Sequence, residues 1–129
     1  MYTSFLIIGL VFVSGRRQRR LALQIPRKEG GEEMPLFVIL GNFTQKRMET
    51  IKSLPESLKE GPKLIAPFGV KIKELAFTMG RYDLVAIVEA PDAEAVSKAF
   101  LSWGSRGLLR TEILTGFTAE KMIELVKGI

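Results

Sequence analysis

Asp83 follows Gly80-Arg81-Tyr82 and stands directly before the apolar run Leu84-Val85-Ala86-Ile87-Val88, which Glu89 closes. A carboxylate that enters a buried strand from a turn has two readings. It accepts backbone N–H groups of Gly80 or Arg81 and fixes the turn, or it sits at the rim of a cleft between sheet and helices and acts there as a base or holds a cationic ligand group. Tyr82 divides the same way, into a packed ring with a wet hydroxyl or a ligand contact. Arg110 lies two residues from Glu112, so both share one face of an extended segment. Asp83, Tyr82 and Arg110 are therefore the catalytic candidates, and Asn42, Thr78, Glu89 and Glu112 the ligand-binding candidates. Glu89 and Arg110 form an ion pair if the strand register brings them together. Asn42 and Thr44 either shape a turn or line a pocket mouth, and Arg81 is read as solvated. Gly104-Ser105-Arg106-Gly107 offers spare N–H groups to an anion.

The 129-residue chain has no His and no Cys. That composition removes disulfides, the usual zinc sites, thiolate nucleophiles and the imidazole base. No metal site and no cofactor is expected, and a cysteine-free chain suits a reducing, cytoplasmic compartment. The net charge is +5, but Arg16, Arg17, Arg19, Arg20, Arg27 and Lys28 against Glu29, Glu32 and Glu33 place +3 of it before residue 34. Only +2 is left for residues 34–129, too little for a nucleic-acid groove.

Residues 1–33 read as an extension outside the fold. The apolar run Phe5 to Val13 would make a helix of roughly 14 Å against a hydrocarbon core of about 30 Å, and its positive charges follow the run instead of preceding it as in a signal peptide. No membrane span is expected. Glu29-Gly30-Gly31-Glu32-Glu33 has codons compatible with a purine-rich ribosome-binding signal, which makes Met34 the expected true start.

From Met34 the elements that must position the candidates follow in order. Leu36 to Leu40 is apolar on both faces and ends at Gly41-Asn42, a first strand. Thr44 caps a helix whose stripe is Met48, Ile51 and Leu54. Pro55 opens a second helical piece with Leu58, Leu64 and Ile65 inward, kinked at Pro62 and closed by Gly69. Val70 to Thr78 alternates with a phase slip that predicts a bulge near Lys73-Glu74, and bulges belong at sheet edges. A tight turn permitted by Gly80 leads into residues 82–90, a strand apolar on both faces and hence central. Asp92 caps a helix with Ala93, Val96, Phe100 and Trp103 at helical spacing; Trp103 is core or interface, and Gly104 ends the helix. Leu108 to Phe117 is the other edge strand, and Thr118 caps a last helix carrying Met122, Ile123 and Val126.

This order is the α+β, ferredoxin-like βαββαβ arrangement, an antiparallel sheet with strands in the order 4-1-3-2. Two helices cover one face. The other face keeps an apolar centre, and pairing two such faces gives a dimeric α/β barrel.

Residues 34–129 resemble the GYD-domain family through Pro35-Leu36-Phe37-Val38, Gly41-Asn42-Phe43-Thr44, Thr78-Met79-Gly80-Arg81-Tyr82-Asp83 and Val88-Glu89-Ala90-Pro91-Asp92. The resemblance implies a small protein of the dimeric α/β barrel superfamily with no established activity, and the expected function is that of a small-molecule-binding homo-oligomer joined to itself through the sheet face. The alternative it carries is a cofactor-independent monooxygenase or isomerase, and a third reading is a purely structural assembly protein. Haem relatives in that superfamily use a His ligand that this chain lacks. Fold kinship does not choose among the rest.

Overall fold

A computed structural model of the chain describes residues 34–129, so the expectations for residues 1–33 lie outside the described residues. Its elements are β1 (Leu36–Phe43), α1 (Gln45–Glu49), a single 3₁₀ turn (Ile51–Ser53), α2 (Leu54–Ile65), a second 3₁₀ turn (Ala66–Phe68), β2 (Lys71–Phe77), β3 (Leu84–Glu89), α3 (Ala93–Gly104), β4 (Leu109–Gly116) and α4 (Ala119–Lys127). The sheet is antiparallel in the order β2-β3-β1-β4, the order expected from the sequence.

The two strands that are apolar on both faces occupy the centre because only there can both faces be covered. Register pairs Val38 with Ile87 and Leu40 with Val85, while Phe37 lies opposite Val88 and Ile39 opposite Ala86. Phe37, Ile39, Leu84, Ala86 and Val88 point to the helices and are buried with Ile65, Val96, Ala99 and Phe100. Full burial of a side chain such as Ile39 or Ile65, each 0% exposed, contributes about 1.5–3 kcal/mol. This layer between the sheet and the α2/α3 pair is the core.

Edge strand β2 slips its register between Ile72 and Glu74, the bulge that the phase change predicts. Caps account for the helix starts: Thr44, Asp92 and Thr118 each accept an N–H bond, from Arg47, Ala95 and Lys121. Pro55 stands in the first turn of α2, and the helix continues through Pro62. Gly69 ends the following 3₁₀ turn with φ +82°, a left-handed conformation that side chains rarely adopt.

Three expectations are corrected. β1 runs on through Gly41-Asn42 to Phe43. Helix α1 stops after five residues, so the Met48/Ile51/Leu54 stripe does not form. Met48 is 52% exposed, and the buried residue of α1 is Arg47. Leu58 is exposed as well, leaving Ile65 as the fully buried anchor of α2.

The face of the sheet away from α2 and α3 carries Leu36, Val38 and Leu40 of β1, Val85 and Ile87 of β3, and Leu114 of β4. The central five are half-buried and Leu114 is exposed. Helix α4 has no buried residue; Met122, Ile123, Leu125 and Val126 all meet solvent.

Candidate functional site at the hairpin end of the sheet

The register gathers six of the seven candidate side chains at the end of the sheet where β2 turns into β3. Asn42 of β1 lies opposite Arg110 of β4, and Leu40 lies opposite Glu112. Gly41 pairs with Leu84, which brings Asp83 beside Asn42. Thr78 and Tyr82 flank the turn itself.

Hydrogen bonds commit most of this cluster. The Asp83 N–H donates to the Gly41 carbonyl (2.9 Å), the Thr78 N–H donates to the Asp83 carbonyl (2.9 Å), and Thr78 Oγ1 donates to the Tyr82 carbonyl (2.5 Å). The Asp83 carboxylate accepts the Phe43 N–H through Oδ2 at 2.8 Å. This differs from the expected partners, Gly80 or Arg81. The carboxylate reaches across to β1 because β1 outruns β3 at this end, leaving the Phe43 N–H without a partner on that strand. The carboxylate fills that place.

Tyr82 Oη donates to Glu112 Oε1 at 3.0 Å. That bond raises the phenol above its ordinary value, with burial adding to the effect. Tyr82 is thereby held as a neutral donor and is poorly suited to act as a phenolate base. The Arg81 guanidinium lies over its ring, 5.7 Å from the centroid, within the range of a cation–π contact. Gly80 is not among the described glycines with positive φ, which are Gly69 and Gly107, so the turn does not depend on glycine at position 80.

Glu89 stands apart. It faces Leu36, which in turn faces Gly116, whereas Arg110 faces Asn42. About six residues of β1 separate the two rows, roughly 20 Å at strand rise, so the Arg110–Glu89 pair does not form. Glu89 is 2% exposed and lies 3.9 Å from Lys73 Nζ. Burial pushes its carboxyl above the ordinary range, against the pull of Lys73 and Lys71, because desolvation disfavours the charged form.

Sequence reasoning missed Arg47. It is 4% exposed and borders two spaces. One is a cleft of about 130 Å³ walled by Ser53, Ser57, Glu60, Trp103 and Arg106. The other is a slot of about 30 Å³ between sheet and helices, lined by apolar residues including Phe43, Leu54, Phe77 and Leu84. The only foretaste in the sequence is Ser53 and Ser57 four residues apart, and an arginine between Lys46 and Met48 gives no sign that it turns inward. Trp103 bounds both spaces and stacks on Phe100, with ring centroids 5.6 Å apart.

Residues 37–126 match the profile of the GYD domain. The chain belongs to the GYD-domain family. Among its relatives is a protein of Thermus thermophilus described as a glutamine synthetase and cystathionine beta-lyase binding protein, 36% identical over 95 residues, 73% of this chain and 100% of that protein. The crystal structure of TTHA0845, also from Thermus thermophilus, aligns with a TM-score of 0.41 and 25% identity over 67% of this chain and 96% of that one. In this GYD-domain protein the Gly80-Arg81-Tyr82-Asp83 segment closes a hairpin and ties it to β1 through Asp83. Among the described residues no group of three or more acidic side chains is placed to hold a metal ion, and no helix is long and apolar enough to cross a membrane.

Proposed function

We propose that this GYD-domain protein is a cytoplasmic binding protein that pairs with a second copy of itself through the open face of its sheet and, as that dimer, recognises other proteins. The observation that carries the reading is the apolar stripe of Leu36, Val38, Leu40, Val85, Ile87 and Leu114 on the face that, among the described residues, no helix covers. Apolar surface of this extent, contributed by rigid strands and facing water, gains free energy when a matching surface covers it. The relative from Thermus thermophilus bears a name that specifies two enzymes as its binding partners, which supports protein recognition as the task. The enzyme alternative, a cofactor-independent monooxygenase or isomerase, draws less support: the Asp83 carboxylate and the Tyr82 hydroxyl both serve hydrogen bonds within the fold.

Sedimentation velocity of the full chain at micromolar concentration tests the pairing. A dimer is expected, and a Val38→Lys/Ile87→Lys double variant is expected to sediment as a folded single subunit. A stable single subunit for the unsubstituted chain would count against the reading. Immobilised protein is then offered purified glutamine synthetase and purified cystathionine beta-lyase. Saturable binding by the dimer and loss of binding by the double variant are expected; binding of neither enzyme would leave the dimer standing and remove support for the partners.

A further inference from the structure

Arg47 and Glu89 are the two buried charged residues among those described. Glu89 has Lys73 near it. Arg47 has no such neighbour: the ion pairs among the described residues are Lys73–Glu89, Lys98–Glu94 and Lys121–Glu124. Its guanidinium donates only to neutral oxygens, from Nη1 to the Thr50 carbonyl (3.4 Å) and Ser53 Oγ (3.2 Å) and from Nη2 to Ser57 Oγ (2.5 Å). A guanidinium does not shed its charge in a protein, and a buried charge without a counter-ion is strongly unfavourable. The arrangement is that of a cation held in place by two hydroxyls and a carbonyl and bordering a cleft from which a further acceptor can reach it.

The cleft beside it states what kind of acceptor fits. Buried Arg47 and half-buried Ser57 lie on its inner side and Leu64, Trp103 and Leu108 on its apolar side, while the exposed Ser53, Glu56, Glu60 and Arg106 complete the lining. Two arginines and two glutamates balance. A dianion such as phosphate finds no net attraction in that lining, and a bare carboxylate meets Glu56 and Glu60 near by. A small molecule with a carboxylate at one end and an ammonium close to it matches both halves. The cleft volume of about 130 Å³ suits a compact ligand of that type.

From these contacts we infer that the cleft between α2 and α3 binds a small zwitterion of the α-amino-acid class, its carboxylate on Arg47 and its ammonium toward Glu56 and Glu60. The site lies on the helix side of the sheet, so it stands or falls separately from pairing through the open face. Trp103 is the single tryptophan of the chain and borders the cleft, so its emission reads occupancy directly.

The full chain is titrated with a panel of the small and medium α-amino acids, with acetate, methylammonium and inorganic phosphate as controls, reading Trp103 emission and thermal midpoint together. At least one amino acid is expected to give a saturable emission change and a raised midpoint, with acetate and phosphate far weaker at equal concentration. Arg47→Met is expected to abolish the response. Because that side chain is buried and its loss can unfold the protein, a Glu56→Gln/Glu60→Gln variant of exposed residues is tested beside it and is expected to weaken binding by about tenfold. No saturable response to any amino acid, a response to phosphate or acetate as strong as to the amino acids, or full binding by the folded glutamine variant overturns the inference.

Discussion

Asp83 shows how a residue whose type suggests catalysis can be occupied by architecture. Its carboxylate supplies the acceptor that β3 no longer offers to Phe43 N–H, so Asp83→Ala should lower stability by about 1 kcal/mol in urea unfolding. Asp83→Asn keeps an acceptor oxygen and should lose less; equal losses would mean that the hydrogen bond is not what matters. Glu89 makes a pH prediction. Its carboxyl is raised above the ordinary 4.5, so its contribution to stability is complete below about that pH and is lost as the pH climbs through the elevated folded-state value. Glu74 on the neighbouring strand is also raised by burial, against the pull of Lys73. Glu89→Gln removes one titration, and the variant should have a higher thermal midpoint than the parent at neutral pH, the gap closing near pH 4.5. A gap of the opposite sign at neutral pH would show that attraction to Lys73 outweighs desolvation.

At the scale of elements, much was legible because strands, caps and bulges depend on sequence neighbours. Thr44, Asp92 and Thr118 cap as expected, and the slip at Lys73 announces itself in the alternation. The α1 segment was not legible for a physical reason: a stripe at α-helical spacing assumes continuous α-helix, and here five residues of helix pass into a 3₁₀ turn that takes Ile51 and Leu54 out of phase with Met48. Nor could residue spacing tell that Asp83 meets a backbone group forty residues away. Gly61 illustrates packing between elements. Alanine in a helix interior ordinarily stabilises by about 1 kcal/mol over glycine, but a Cβ here would stand 2.6 Å from Trp103 Cη2 and Cζ2. Overpacking of that kind typically costs about 1–3 kcal/mol. Gly61→Ala should therefore be destabilised, by about 1 kcal/mol net, with a shifted Trp103 emission; a stabilised variant would show that the indole can move aside freely.

For the whole molecule, the strand order and the central placement of β1 and β3 followed from which segments are apolar on both sides, and the structure has that order. What the pattern of residues could not convey is that the candidate side chains divide between two ends of the sheet, because a register is a property of paired strands. The two outer strands also differ in kind. β2 is interrupted by its bulge and carries Lys71 and Lys73, whereas β4 pairs with β1 without interruption from Leu109 to Gly116. Head-to-tail stacking of subunits into an endless ribbon needs both margins to be available, and one is spoiled by an irregular backbone and lysine side chains. The regular margin can meet only its own likeness, and a contact between like margins is two-fold and closes on itself. Any growth past the proposed pair is thereby steered toward a finite, symmetric particle instead of a fibre.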